Sequence, residues 1–305
     1  CEEDVAKAME KALDEGRIAG AVALHYPFPL GVATIGRVLT PGRGKPMIIA
    51  SSTGTTAVGR VEAMVRNAIY GTAVAKSIGI ENPTVGILNV DGAQMAFKGL
   101  GTLKEKGYPI NFGASVRQDG GSILRGNDIL AGAVDVCVAD TLTGNVLMKM
   151  FSSFTTGGSY ESMGWGYGPS VGEGWNRIIS IISRASGAPV IAGALEYTAR
   201  AAAGRLSEKV AAEIAEAKKA GLDAVLEGLA PKPAAAEEEV TAPPAEFTDE
   251  EIGGVDVLSI EDGVKVLWKE GIYAESSMGC TGPVIKVAEK HLERAEQILK
   301  EAGYI

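Results

Sequence analysis

From residue 3 onward the chain alternates short apolar runs with stretches whose apolar residues recur every three or four positions. Residues 3–16 place Val5, Ala8, Met9, Ala12 and Leu13 on one helical stripe behind Asp4. Short runs of Val, Ile, Ala and Gly follow at 18–24 (IAGAVAL), 47–50, 84–90 (TVGILNV), 110–114 (INFGA) and 134–139 (VDVCVA). Each lacks polar alternation, the pattern of a strand buried on both faces. Among them the spacing predicts helices over 31–39, 58–77 and 146–154, with a loop at 51–56. Strands separated by helices predict an α/β fold, a mostly parallel sheet covered on both faces with right-handed crossovers.

After residue 154 comes a Gly/Ser/aromatic stretch, 155–174, too long for a plain connection. Tyr160, Trp165 and Tyr167 make it read as a lid or a partner contact. Helices are predicted over 175–186 and 195–219, and the amphipathic end of the second suits core packing or a homodimer. Residues 231–251 hold four prolines and seven acids against one lysine, the composition of a solvated linker. The chain therefore divides into a domain at 1–230, a linker at 231–251 and a small α/β module at 252–305. In that module the pattern predicts strands at 255–258 and 272–274, a helix at 260–271, a loop at 276–282 and a last helix at 283–302. The opening on Cys1, directly before a helix, is expected of an N-terminally shortened piece of a longer protein.

Composition narrows the function classes. Twenty-nine basic against 38 acidic residues leave a net charge of −9 with no basic stripe, which argues against nucleic-acid binding. Pro and Gly interrupt the longest uncharged run, 18–36, so no membrane span is expected. No signal-peptide pattern opens the chain, and the expected location is cytoplasmic. Three scattered cysteines make neither a disulfide framework nor a CxxC pair. With two histidines in all, a His-based metal site or a Ser-His-Asp triad is not expected.

Cys280 is the sharpest candidate for chemistry. It lies in SSMGCTGP (276–283), read as a loop before the last helix, with Pro283 suited to the first helical position. A thiol at the positive end of a helix is stabilised as thiolate, and Gly279 and Gly282 would leave the sulfur open to a carbonyl carbon. The helix N–H groups could then serve an oxyanion as a thioester forms or breaks. A small buried cysteine in a capping turn is the competing reading. Cys137 reads as a packed core thiol, and Cys1 has no chemistry around it. His25 ends the first strand, either beside a ligand or in a plain turn. His291, on the last predicted helix, would lie ~16 Å from Cys280 and could not serve as its base.

Two hydroxyl-rich segments follow buried strands. Ser51, Ser52, Thr53, Thr55 and Thr56 precede one helix; Asp140, Thr143, Gly144 and Asn145 open another, which carries Lys149. Hydroxyls beside helix N-terminal N–H groups can hold phosphate or carboxylate, although ordinary capping accounts for the same residues. Neither segment contains GxxxxGK[ST], so a nucleotide P-loop is not indicated. At the carboxyl ends of parallel strands the two would face one crevice.

Three runs carry a family resemblance: GIENPTVGILNV (79–90), INFGASV (110–116) and AGAVDVCVADTLTGNVLMK (131–149). With them the chain resembles the phosphate acyltransferases of phospholipid synthesis over about residues 3–221. The resemblance implies an isocitrate/isopropylmalate dehydrogenase-like α/β fold and acyl transfer to phosphate. Asp91-Gly92-Ala93-Gln94 and the 156–174 stretch depart from that family, and SSTGTT lacks the aspartate of the corresponding loop. These departures weigh against long-chain acyl carrier protein substrates.

The C-terminal SSMGCTGP is similar to one branch, the smaller (alpha) subunits of component C of glycine/sarcosine/betaine reductases. That branch implies a mechanism. An acetyl group from selenoprotein A, delivered with the larger (beta) subunit of component C, becomes a thioester on Cys280; inorganic phosphate then releases acetyl phosphate, with no cofactor on this chain. Two alternatives stand beside it: an acyl-carrier-protein:phosphate acyltransferase, and a non-catalytic scaffold for the larger subunit.

Overall fold

The computed structural model describes residues 2–117, 120–229, 240–256, 259–279 and 282–305. In chain order the first elements are α1 (Glu2–Asp14), β1 (Ala21–Ala23), β2 (Val32–Leu39), β3 (Pro46–Thr55), α2 (Arg60–Ser77) and β4 (Thr84–Leu88). Then come α3 (Ala93–Glu105), β5 (Asn111–Phe112), β6 (Ile123–Leu124), α4 (Gly126–Ala131), β7 (Val136–Val138) and α5 (Thr141–Ser153). β8 (Ser170–Gly172), β9 (Ile179–Ile181), α6 (Ala188–Ala203), α7 (Leu206–Lys219) and α8 (Leu222–Leu229) follow. The last are β10 (Glu250–Ile252), α9 (Ile260–Lys269), β11 (Ala274–Gly279), β12 (Gly282–Val287) and α10 (Leu292–Glu301). They form two compact units, Cys1–Leu88 with Ala96–Leu229 and Asn89–Met95 with Ala230–Ile305.

The first unit is an α/β layer structure. Its main sheet has the order β5-β4-β7-β3-β2-β8, with β6 also on β4. β3, β7, β4, β5 and β6 pair in parallel, while β2 is antiparallel to both β3 and β8. A Cβ at Gly71 of α2 would meet Ala50, and one at Gly144 of α5 would meet Ile49. Successive strand residues point to opposite faces, so α2 and α5 cover opposite sides of the sheet. Thirteen of the eighteen α2 residues are buried, because the helix lies between the sheet and α7. β1 and β9 form a separate parallel pair.

Several expectations from spacing are corrected. Where a helix is expected over 31–39 the chain forms β2 (Val32–Leu39), and 51–55 continue β3 instead of forming a loop. Residues 175–186 hold β9 and no helix. The helix expected over 195–219 is two, α6 and α7, broken at Gly204 and Arg205. A Cβ on Gly204 would overlap the Ser77 carbonyl, and Arg205 adopts a left-handed φ of 58°.

The second unit carries a three-stranded antiparallel sheet, β10-β12-β11. Ile285 and Val287 of β12 share a buried cluster with Val264 and Leu267 of α9 and with Ala295 and Leu299 of α10. The helix expected over 283–302 is therefore wrong in its first half, since Pro283–Val287 lie in β12 and α10 starts only at Leu292. Of the strand expected at 255–258, residues 255–256 have no regular structure and 257–258 lie outside the described residues. The end of the expected linker, 250–251, belongs to β10. Among the described residues no helix is long and apolar enough to cross a membrane.

Candidate functional site

β3 pairs with β7 through Ile48–Val136, Ile49–Cys137 and Ala50–Val138. On its other side Ala50 pairs with Ile35, yet Thr53 pairs with the adjacent Thr34. Ser51 and Ser52 are thus two extra residues, a bulge in β3. The Ala50–Ser51 peptide bond is cis. The bulge stands just past the carboxyl end of β7, at the sheet edge where open α/β folds bind ligands.

One face of the first turns of α5 holds this bulge. Thr141 Oγ1 and Ser51 Oγ lie 2.8 Å apart, and Asn145 Nδ2 donates to the Ser52 carbonyl at 3.0 Å. Between them, a Cβ on Gly144 would overlap the Ser51 carbonyl oxygen, so only glycine allows this approach. Positions 141, 144 and 145 share one helix face by their spacing. The segments 51–56 and 140–145 do converge, as strand order at this edge requires.

Hydroxyl protons set which of these groups can face a ligand, since each hydroxyl has one to give. Ser52 Oγ donates to the Tyr167 carbonyl at 2.6 Å, Thr34 Oγ1 lies 2.9 Å from Ser52 Oγ, and Thr53 Oγ1 lies 2.6 Å from Thr34 Oγ1. A relay from Thr53 through Thr34 and Ser52 to that carbonyl consumes all three protons. Thr56 donates to Asn67 Oδ1 at 3.0 Å, and Thr55 is exposed at the strand end. The Ser51–Thr141 pair differs. Two hydroxyls share one hydrogen bond, so whichever donates, one hydroxyl proton of the pair is left over, and Thr141 is its half-buried member.

Asp140 caps α5. Its carboxylate accepts from Thr143 N–H at 3.1 Å and from the Thr143 hydroxyl at 2.6 Å, and its carbonyl accepts from Gly144 N–H. An anion here would meet a carboxylate already seated on the helix terminus. Lys149 lies ~12 Å further along α5. Its Nζ is 2.9 Å from Tyr167 Oη and 3.3 Å from Glu161 Oε1, while Tyr167 and Ser186 each donate to Glu161 at 2.6 Å. Burial would raise the Glu161 carboxyl, but the Ser186 and Tyr167 hydroxyls and the Lys149 charge outweigh it and hold it below its ordinary value. Lys149 therefore balances a buried acid and leaves the hydroxyl edge. The Gly-rich stretch is pinned by the same acid and by β8, so no free lid is found there.

A cleft of about 510 Å³ opens where β3 leads into α2, lined by Leu30, Thr56, Glu62, Arg66, Tyr70 and Trp175 among others. Arg66 is held there between Glu62 at 2.9 Å and Glu173 at 3.5 Å. Cys137 is fully buried, and burial pushes its thiol up to about 12. His25 is exposed, and His291 Nε2 sits 3.2 Å from Glu246 just before α10.

Cys280 lies outside the described residues. Its neighbours nonetheless correct one expectation: Gly279 ends β11, Gly282 begins β12 and the two pair, with no helix before the short turn preceding Leu292. Helix-terminus activation of the thiol, and the helical distance to His291, do not apply.

Sequence reading missed Thr34, Thr141 and Glu161, and took Tyr167 for part of a lid or a partner contact. Thr34 was hidden by the helical reading of 31–39. Thr141 sits within DTLTGN, where the i, i+3, i+4 spacing to Gly144 and Asn145 was the available signal.

The model of a family described as fatty acid synthesis protein matches residues 2–286. The chain belongs to that family. Along its whole length it is 58% identical, over 306 residues, to the glycine/sarcosine/betaine reductase complex component C subunit alpha of Peptoclostridium acidaminophilum, covering 80% of that protein. Other members of similar sequence are shorter matches. A phosphate acyltransferase of Acetivibrio thermocellus is 36% identical over 128 residues, 41% of this chain and 34% of that protein. One of Thermosipho africanus is 42% identical over 87 residues, 27% of this chain and 24% of its own length.

Proposed function

We propose that this chain is the alpha subunit of component C of a glycine/sarcosine/betaine reductase complex, and that it transfers an acetyl group from a cysteine thioester to inorganic phosphate. The observation that carries the reading is the 58% identity along the entire chain to a protein of that name. The phosphate acyltransferase relatives support acyl transfer to phosphate as the reaction class.

In this reading Cys280 carries the acetyl group, received from selenoprotein A with the larger subunit. A phosphate oxygen attacks the thioester carbonyl carbon, the C–S bond breaks, and the electron pair leaves on the Cys280 thiolate as acetyl phosphate departs. On the first unit, Thr141 backed by Ser51 is the group suited to hold a phosphate oxygen. Ser52, Thr53, Asp140, Gly144 and Asn145 keep the bulge and the first turn of α5 in place for it. The reaction belongs to the cytoplasm, where phosphate and the partner proteins meet.

The test is Cys280→Ala in component C reconstituted from both subunits. Acetyl phosphate formation should vanish while the subunits still assemble; undiminished formation overturns the assignment. A second reading, transfer from acyl carrier protein, is favoured by the 36% identity to a phosphate acyltransferase. Long-chain acyl phosphate made by the chain alone would establish it instead.

A further inference from the structure

Leu142, Val146, Met150 and Phe154 stand 74%, 51%, 61% and 45% exposed. They recur every fourth residue along α5, with Phe154 its helical C-cap, and so form one ridge on one helix. The other side of α5 holds Gly144, Met148, Phe151 and Ser152, all buried, and rests on β2 and β3. The ridge therefore points away from the sheet.

Two observations bear on what covers it. Residues 141–160 hold no acid and a single base, Lys149, in a chain of net charge −9. Glu161 of the same chain takes that base at 3.3 Å. A partner selected by charge finds no complement on this helix, whereas two copies of an acidic chain can meet here without bringing like charges together. The ridge also reads the same from both ends. Positions 142 and 154, and positions 146 and 150, are equally far from position 148. A two-fold axis crossing α5 at 148 sets Leu142 against Phe154 of a second copy and Val146 against its Met150, which makes the patch self-complementary. The smallest of the four side chains then faces the most adaptable. In that arrangement the opposite ends of the two helix dipoles lie side by side.

We propose that the outer ridge of α5 is the face through which this chain pairs with a second copy of itself. The two helices pack antiparallel about an axis at position 148, each ridge lying in the groove beside the other. Leu142 directly follows Thr141, so the second copy borders the hydroxyl edge where the β3 bulge meets α5.

Analytical ultracentrifugation of the full chain should find a dimer. Val146→Asp, at an exposed position with no core to disturb, should raise its dissociation constant by about 100-fold while leaving Tm unchanged. The arrangement is tested with Leu142→Cys and Phe154→Cys chains that also carry Cys1→Ser and Cys280→Ser. A short bismaleimide should join one chain of each kind when the two are mixed. Neither should join to itself, because across the axis each position lies ~18 Å from its own counterpart, measured along the helices. A chain that stays monomeric overturns the proposal, as does a dimer indifferent to Val146→Asp. Self-joining of Leu142→Cys overturns the antiparallel pairing. A monomeric chain from which Val146→Asp releases the larger component C subunit gives the ridge to a different polypeptide and overturns the second copy.

Discussion

The hydroxyl oxygens of Ser51 and Thr141, ninety residues apart along the chain, lie 2.8 Å from one another. One belongs to a bulge and the other to the first turn of a helix, so their bond ties the sheet edge to α5. Ser51→Ala and Thr141→Val should each cost about 1 kcal/mol of stability, and the double variant less than the sum. Urea unfolding of the four proteins measures the coupling. In the transfer assay Thr141→Val should raise the KM for phosphate by about tenfold, with Ser51→Ala having the smaller effect.

Gly144→Ala places a methyl group against the Ser51 carbonyl, where neither backbone can yield cheaply. The expected loss is about 3 kcal/mol, with a matching fall in Tm. Gly101→Ala is the contrast. That glycine lies within α3 with open space where a Cβ would go, so alanine should stabilise by about 0.5–1 kcal/mol. Thermal unfolding of the two variants should move in opposite directions.

Glu161 links the Gly-rich stretch to α5 through Tyr167 and Lys149. Because its folded carboxyl is held below the ordinary value of 4.5, it adds stability above that pH and loses it as pH falls through the folded value. Glu161→Gln should cost about 2 kcal/mol at neutral pH. Its stability should also fall less steeply than the parent's below about pH 4.5. Denaturant midpoints measured from about pH 3 to 6, ~1.5 units either side of the ordinary carboxylate value, check the slope.

The Cys137 thiol, sealed between sheet and helices and pushed up to about 12, should not react with iodoacetamide at pH 8 until the chain unfolds. In a Cys1→Ser chain, label taken up under native conditions would therefore report on Cys280 alone. Peptide mass analysis before and after denaturant distinguishes the two thiols.

The strands 84–88 and 136–138 are legible because β-branched runs without polar alternation have no other place than a covered parallel sheet. β2 is not, and for the same physical reason. Buried on both faces, VATIGRVL shows no period of two, and its apolar residues fall by chance near helical steps. The run 283–302 misleads similarly: Val284, Ala288, Leu292, Ala295 and Leu299 make one stripe, but Val284, Ile285 and Val287 pair in a hairpin while only the later residues wind. At the candidate site the meeting of 51–56 with 140–145 follows from strand order. Which hydroxyl keeps a spare proton does not, because that depends on Thr34 and Tyr167, residues distant in sequence.

The bulge at Ser51 and Ser52 inserts a pair of residues, an even number. Side chains alternate by twos along a strand, so Thr53 and Thr55 keep the sidedness they would have in an uninterrupted ladder. Removing both serines would shorten the edge without turning anything over. Removing one would leave a bulge of a single extra residue, the common kind, at the cost of the contact that serine makes with Thr141 or Thr34.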